Sequence, residues 1–271
     1  MAALRRPLSL HQLTALELTP VELIDLAAEL ECSHVGLFTC LPQARGVIFP
    51  CVATDEQEAA VKERLSATGV RVNNAEVFSL HAGSVAAQQE DALSRAARLG
   101  ARMATVHVHE QSPEIARSLL RDFCDLAAAQ DLRVALEFTS FSATRSLSSA
   151  LQLLEDVSHP AACLAVDALH FFRNGGSPAQ LIPVPAELIG YLQLCDGWLI
   201  PPGDLYHEAV AERCVPGIGD FPLVELLASM DASVMVDVEV PRETERINGC
   251  SAAYRAAVAV EATRNLLLQA S

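Results

Sequence analysis

Eight short apolar runs, each followed by a stretch of helical periodicity, set the tightest limit on what this 271-residue chain can become. The runs are LSLHQL from Leu8, HVGLF from His34, RVNNAEVF from Arg71, MATVHVH from Met103, RVALEF from Arg133, CLAVDA from Cys163, IGYLQLC from Ile189 and SVMVDVEV from Ser233. Short runs rich in Val, Leu and Ala read as buried strands, and strands that alternate with helices predict a parallel sheet. The intervening helices carry their own punctuation. TPVELIDLAAEL opens on Thr19 as N-cap with Pro20 in the first turn, and QQEDALSRAARLG closes at Gly100. Eight such units predict one (β/α)8 TIM barrel spanning residues 1–271, with no second domain. A doubly wound open sheet is the competing fold, and it is disfavoured because no GxGxxG follows the first strand.

The charge balance excludes several function classes. A net charge of -15 opposes binding to nucleic acid, which depends on basic contacts to phosphate. Lys62 is the only lysine and sits in the solvated helix DEQEAAVKERL, so a Schiff-base mechanism, which needs a desolvated lysine, is disfavoured. The eight cysteines are dispersed without a CxxC pair and read as reduced core thiols. No apolar run is long enough to span a membrane, and MAALRRPLSLHQL lacks the apolar stretch of a secretion signal. These observations predict a cytoplasmic protein with a small-molecule substrate and no nucleic-acid or membrane partner, and they leave a homo-oligomer open.

The catalytic face of such a barrel lies at the C-terminal strand ends. Side chains alternate along a strand, so parity assigns them to the interior or to the helices. With the bulky apolar residues facing the helices, Glu137, Asp167, Gln193 and Glu239 point inward at the ends of four consecutive strands. Converging carboxylates repel unless a cation sits between them. An all-oxygen set predicts a divalent metal centre: Mn²⁺ first, with Mg²⁺ or Co²⁺ as alternatives. Asp237 is also inward, one layer below Glu239, with no partner identifiable from sequence.

Other residues are candidates for substrate contact. His107 and His109 share the inward parity of the fourth strand. Arg213, in AERCVPGIGD, is suited to a carboxylate or sugar oxygen, with a surface ion pair as the competing reading. Trp198 and Tyr206, on the long loop after the seventh strand, are placed to cover a substrate or to pack on a neighbouring subunit. Gly217 and Gly219 offer backbone donors to an anion, although a plain turn is the simpler reading. His81 and His207 read as loop surface, and Arg242 as a residue that helps hold an anion.

ALEF, AVDALH, YLQLCDG, ERCVPGIGDFPL and DVEVP together resemble the xylose isomerase-like TIM-barrel superfamily of sugar phosphate isomerases and epimerases, from about Pro20 to the C-terminus. The resemblance implies that Glu137, Asp167, Gln193 and Glu239 hold the metal. It also implies that Glu137 and Glu239 flank the reacting carbons, and that His170 and Arg213 bind substrate or support the site. Gln193 stands where isomerases and epimerases usually carry histidine, and glutamine there is similar to the dehydratase branches that act on 3-dehydroshikimate and inosose. The expected activity is therefore a metal-dependent isomerase or epimerase of a polyhydroxylated carbonyl compound, with catalytic Glu137, Glu239 and His170. A dehydratase is the close alternative. An abasic-site endonuclease and a non-catalytic binding barrel rank below both.

Overall fold

The computed structural model describes residues 6–40, 50–84 and 89–270. The reading of the extreme N-terminus rests partly on residues 1–5, which lie outside the described residues, as does the first residue of QQEDALSRAARLG. Among the described residues, eight parallel strands close into a barrel in chain order: β1 Leu8–His11, β2 His34–Phe38, β3 Arg71–Leu80, β4 Met103–Val108, β5 Arg133–Glu137, β6 Ala162–Asp167, β7 Ile189–Leu194 and β8 Met235–Val238. β8 pairs back onto β1, so no sheet edge is left open. The predicted TIM barrel is the fold.

The helices are α1 Pro20–Glu29, α2 Asp55–Thr68, α3 Glu90–Arg98, α4 Pro113–Ala128, α5 Leu147–Val157, α6 Ala168–Arg173, α7 Leu205–Ala211, α8 Leu223–Ala228, α9 Glu243–Ile247 and α10 Ala252–Gln269. Thr19 caps α1 in a reciprocal box with Glu22, and Thr54 and Ser146 do the same for α2 and α5. The short helices α6, α7 and α9 were not expected as separate elements. Each follows the end of β6, β7 or β8; α7 and α9 lie on the connections that run to α8 and α10, while α6 is, among the described residues, the only α-helix between β6 and β7.

Two apolar layers hold the barrel. Outward strand residues such as Val134, Leu136, Leu164, Val166, Val236 and Val238 are fully buried in the core shared with the helices. Inside the barrel, Met103, Ala135, Cys163, Ala165, Tyr191 and Met235 form a separate apolar plug. The small residues at 135 and 165 leave room for the Tyr191 ring. Above the plug the interior turns polar, and that change of character defines the floor of the site.

Candidate active site

Strand register places the inward residues side by side. Asp167 pairs with Gln193, and Gln193 with Asp237. Glu239 follows just past the end of β8, so it emerges at the lip rather than within the strand. Glu137 ends β5. All four predicted ligands are buried; Glu137 and Glu239 line a cavity of about 450 Å³, whereas Asp167 and Gln193 are not among the residues that line it. Glu76, His107, His109, Glu137, His170, Arg213 and Glu239 line that cavity, with Phe38, Phe141 and Tyr206.

The charge at the end of β6 has a partner within the chain. Arg213 is buried, and its guanidinium reaches Asp167 Oδ2 at 2.8 Å and Glu239 Oε1 at 3.2 Å. Its Nε donates to the Ala209 carbonyl oxygen at 2.8 Å, which fixes the fork. The surface ion pair considered for Arg213 is therefore incorrect: the buried arginine ties two candidate ligands together and itself lines the cavity. Asp167 also accepts the His170 backbone N–H at 3.2 Å, capping α6. Burial works to raise the Asp167 carboxyl, but Arg213 and His170 outweigh it and hold it below its usual value. Glu239 goes the other way: burial dominates, and Arg213 and His11 only partly offset it, so its pKa lies well above the carboxylate range.

His107 Nε2 lies 2.7 Å from Glu137 Oε2, and His170 Nε2 lies 3.8 Å from Glu137 Oε1. Burial lowers the His107 imidazole, but Glu137 more than reverses this and its pKa is raised. His170 is lowered, with burial as the largest cause. His109 is lowered to about 4 by burial, with His107 and His81 adding to the effect. His81, expected on the loop surface, lines the cavity instead.

Glu76 is the functional residue that sequence reasoning missed. Parity alternation fails along β3 because its register against β4 shifts between Ala75 and Phe78. The polar run Asn73, Asn74 and Glu76, buried inside a strand, was the available signal. Glu76 Oε2 faces His11 Nε2 at 2.9 Å, while Oε1 accepts from Tyr191 Oη at 3.1 Å, from Gln193 Nε2 at 3.2 Å and from Asn74 Nδ2. Burial works to raise Glu76, and His11 overcomes it, leaving the carboxyl below its ordinary value. Burial likewise acts to lower His11, but Glu76 and Glu239 raise it to about 10. His11 was not singled out because a histidine at the end of a first strand carries no pattern of its own. Asp237, whose partner could not be named from sequence, sits in the same polar layer. Burial raises it to about 6, with His11 acting against the shift.

Four candidates, Trp198, Gly217, Gly219 and Arg242, fall elsewhere. Trp198 is 52% exposed and lies outside the cavity lining, so its assignment to substrate binding is corrected; its carbonyl accepts from Arg173 at 2.8 Å. The backbone donors of Gly217 and Gly219 are consumed by Asp196, at 2.8 and 3.0 Å, which also accepts from Gly197 and Phe221. They hold the loop and do not face a ligand. Arg242 pairs with Glu245, and His207 is exposed.

The residues fit a divalent cation. After Arg213 has taken one oxygen from each of Asp167 and Glu239, Glu239 Oε2 remains buried without a hydrogen-bond partner, and so does Gln193 Oε1. Buried polar atoms are normally paired, so these orphaned oxygens, with Gln193 next to Asp167 across the sheet and Glu239 tied to Asp167 through Arg213, mark a place for a cation; both Asp237 oxygens are buried and unpaired as well. Ligand atoms of Glu137, Asp167 and His170 also lie within 4.8 Å of one another, as do those of His11, Glu76 and Asp237.

The family described as xylose isomerase-like TIM barrel matches residues 24–265. The chain belongs to that family. A curated relative, 3-dehydroshikimate dehydratase of Pseudomonas aeruginosa, is 29% identical over 157 residues, which is 57% of this chain and 24% of that protein. The chain thus spans about a quarter of that relative's length. A xylose isomerase-like TIM barrel/4-hydroxyphenylpyruvate dioxygenase fusion protein superposes with a TM-score of 0.80 at 16% identity, over 95% of this chain and 42% of the fusion. D-allulose 3-epimerase from Methylomonas sp. superposes with a TM-score of 0.70 at 14% identity, over 97% of this chain and 98% of the epimerase. The proteins similar to this chain thus include one named as a dehydratase and, in fold alone, one named as an epimerase.

Proposed function

We propose that this chain is a metal-dependent carbon–oxygen lyase that dehydrates a polyhydroxylated cyclic keto acid of the 3-dehydroshikimate type. The observation that carries the reading is Gln193, whose free, buried amide oxygen stands on β7 between the carboxylates of β6 and β8. The named activity of the Pseudomonas aeruginosa relative supports it. Glu137, Asp167, Gln193 and Glu239 would hold the metal, Mn²⁺ first and Mg²⁺ or Co²⁺ as alternatives. Bound there, it supplies Lewis-acid stabilisation of the negative charge that develops on the substrate's carbonyl oxygen.

The chain's own residues do the rest. His107 and His170 both line the cavity and both face Glu137, so they are the groups placed to exchange protons with substrate. One takes the proton from the carbon beside the carbonyl, and the C–H electron pair becomes the enolate. That pair then forms the new carbon–carbon double bond as the β-carbon–oxygen bond breaks, and the departing hydroxyl leaves as water with a proton from a histidine. A further enolisation of the cyclic dienone gives a catechol, with no oxidant needed. His81 and His109 offer ring nitrogens to the substrate's carboxylate and hydroxyl oxygens, and Phe141 and Tyr206 cover its apolar face.

The isomerase or epimerase reading ranks second. It requires Glu137 and Glu239 to act as free bases on opposite faces, and both do line the cavity. Glu137 is however engaged by His107, and Glu239 by Arg213. The test is to incubate Mn²⁺-loaded protein with 3-dehydroshikimate and, separately, with a panel of ketoses. A product lighter by one water, with the ultraviolet absorbance of a catechol, is expected. Solvent deuterium entering a ketose at constant formula, with no change in 3-dehydroshikimate, would replace the lyase by the epimerase.

A further inference from the structure

An amide binds a cation through its oxygen only; its nitrogen end carries two hydrogens and repels the metal. The two ends have nearly the same size and shape, so packing cannot choose between them. A glutamine ligand therefore needs a device that fixes which end points where. A histidine ligand faces the same problem and is oriented by a hydrogen bond to its second nitrogen.

From this we infer that Glu76 is a positioning residue that orients the Gln193 amide, presenting its oxygen to the metal; the inference rests on the metal-dependent reading above. A carboxylate can only accept hydrogen bonds, so whichever end of Gln193 meets Glu76 must be the NH₂ end. That is the arrangement found: Nε2 lies 3.2 Å from Glu76 Oε1, and Oε1 of Gln193 is left buried and free. Glu76 is itself immobilised. His11, Tyr191 and Asn74 all donate to it, and Tyr191 Oη is held in turn by Thr105 Oγ1 at 2.7 Å. With its oxygens occupied by four donors, Glu76 is suited to orient a ligand and not to be one.

The test measures Mn²⁺ affinity directly, by electron paramagnetic resonance of free Mn²⁺ at equilibrium, with circular dichroism to check folding. Glu76→Met removes every acceptor and should weaken Mn²⁺ binding about tenfold or more. Glu76→Gln keeps one acceptor oxygen but also offers donors, so it should weaken binding less. The decisive variant is the exchange Glu76→Gln with Gln193→Glu. A carboxylate at 193 has two equivalent oxygens and no wrong end, so affinity should return to within about threefold of the parent. Gln193→Glu alone calibrates the affinity that a charged ligand adds; if Glu76 merely supported His11 and Tyr191, Glu76→Gln would weaken binding by the same factor in the Gln193→Glu background as in the parent, whereas an orienting Glu76 loses that effect once residue 193 is a carboxylate. Parental affinity in both Glu76 single variants, an exchange variant as weak as Glu76→Gln, or an equal loss in the two backgrounds, would overturn the proposal. If Asp167→Asn abolishes binding while the Glu76 variants retain it, only this proposal falls. Absence of Mn²⁺ binding by the parent overturns this proposal and the metal-dependent reading together. If Glu76→Met does not fold, Glu76→Gln and the exchange variant decide.

Discussion

At the scale of residues, the site is a set of buried charges held in pairs. Asp167 and Glu239 lean on opposite ends of one guanidinium, and Glu137 leans on His107. Removing one partner of such a buried group leaves an uncompensated charge, at a cost of about 3–5 kcal/mol. Arg213→Met should therefore destabilise the metal-free protein by about 3 kcal/mol. Mn²⁺ should then raise the melting temperature of Arg213→Met by more than it raises that of the parent, because the cation now supplies charge that the arginine provided. An equal rise in both proteins would contradict a metal seated between those carboxylates. The inward placement of Glu137, Asp167, Gln193 and Glu239 was legible in the sequence because the register shift between β6 and β7 lies at Leu164/Ala165, before the strand ends, and the pairing beyond it is regular. Glu76 was not, because its strand slips register. His11 acts through residues far away in sequence, and only the closed barrel brings Glu76 and Glu239 to it.

At the scale of elements, two features of packing support the site from outside it. Gly36 on β2 has no room for a side chain: an added Cβ would lie 2.7 Å from His11 Cδ2, 2.9 Å from Asn74 Oδ1 and 3.1 Å from Asp237 Oδ2. Gly36→Ala should cost about 2 kcal/mol in urea unfolding, by forcing that polar layer apart; an unchanged midpoint would show that the layer can yield. The second feature is Glu58 on α2, which bonds Lys62 on its own helix and Arg95 and Arg98 on α3. The Arg98 hydrogen bonds, opposed by burial and aided by Lys62, hold its pKa down at about 2. Because the folded-state value is depressed, the stabilisation is present above the unfolded value of about 4.5 and is lost as pH falls from there through about 2. Glu58→Gln should thus lower stability at neutral pH and flatten its decline across that acid window. Parallel declines in the two proteins would show that the network contributes nothing. Caps and strand runs were legible because they are local. The short helices α6, α7 and α9 were not, since each is set by how a loop must turn over the barrel mouth.

At the scale of the whole molecule, the alternation of eight apolar runs was enough to specify the barrel, and the barrel specified where the chemistry lies. What the pattern could not give was the internal wiring of the mouth: which cation meets which acid, and which glycine donors are already taken. The acidic surface has its own consequence. With a net charge of -15, the protein should show no measurable binding to abasic duplex DNA at physiological salt, and salt-sensitive micromolar binding would reopen the endonuclease reading. The central claim is the metal centre, and the most direct measurement is anomalous diffraction from a Mn²⁺-soaked crystal. One strong peak should appear about 2.2 Å from oxygens of Glu137, Asp167, Gln193 and Glu239. A peak among His11, Glu76 and Asp237 instead, or no peak at all at saturating Mn²⁺, would contradict it.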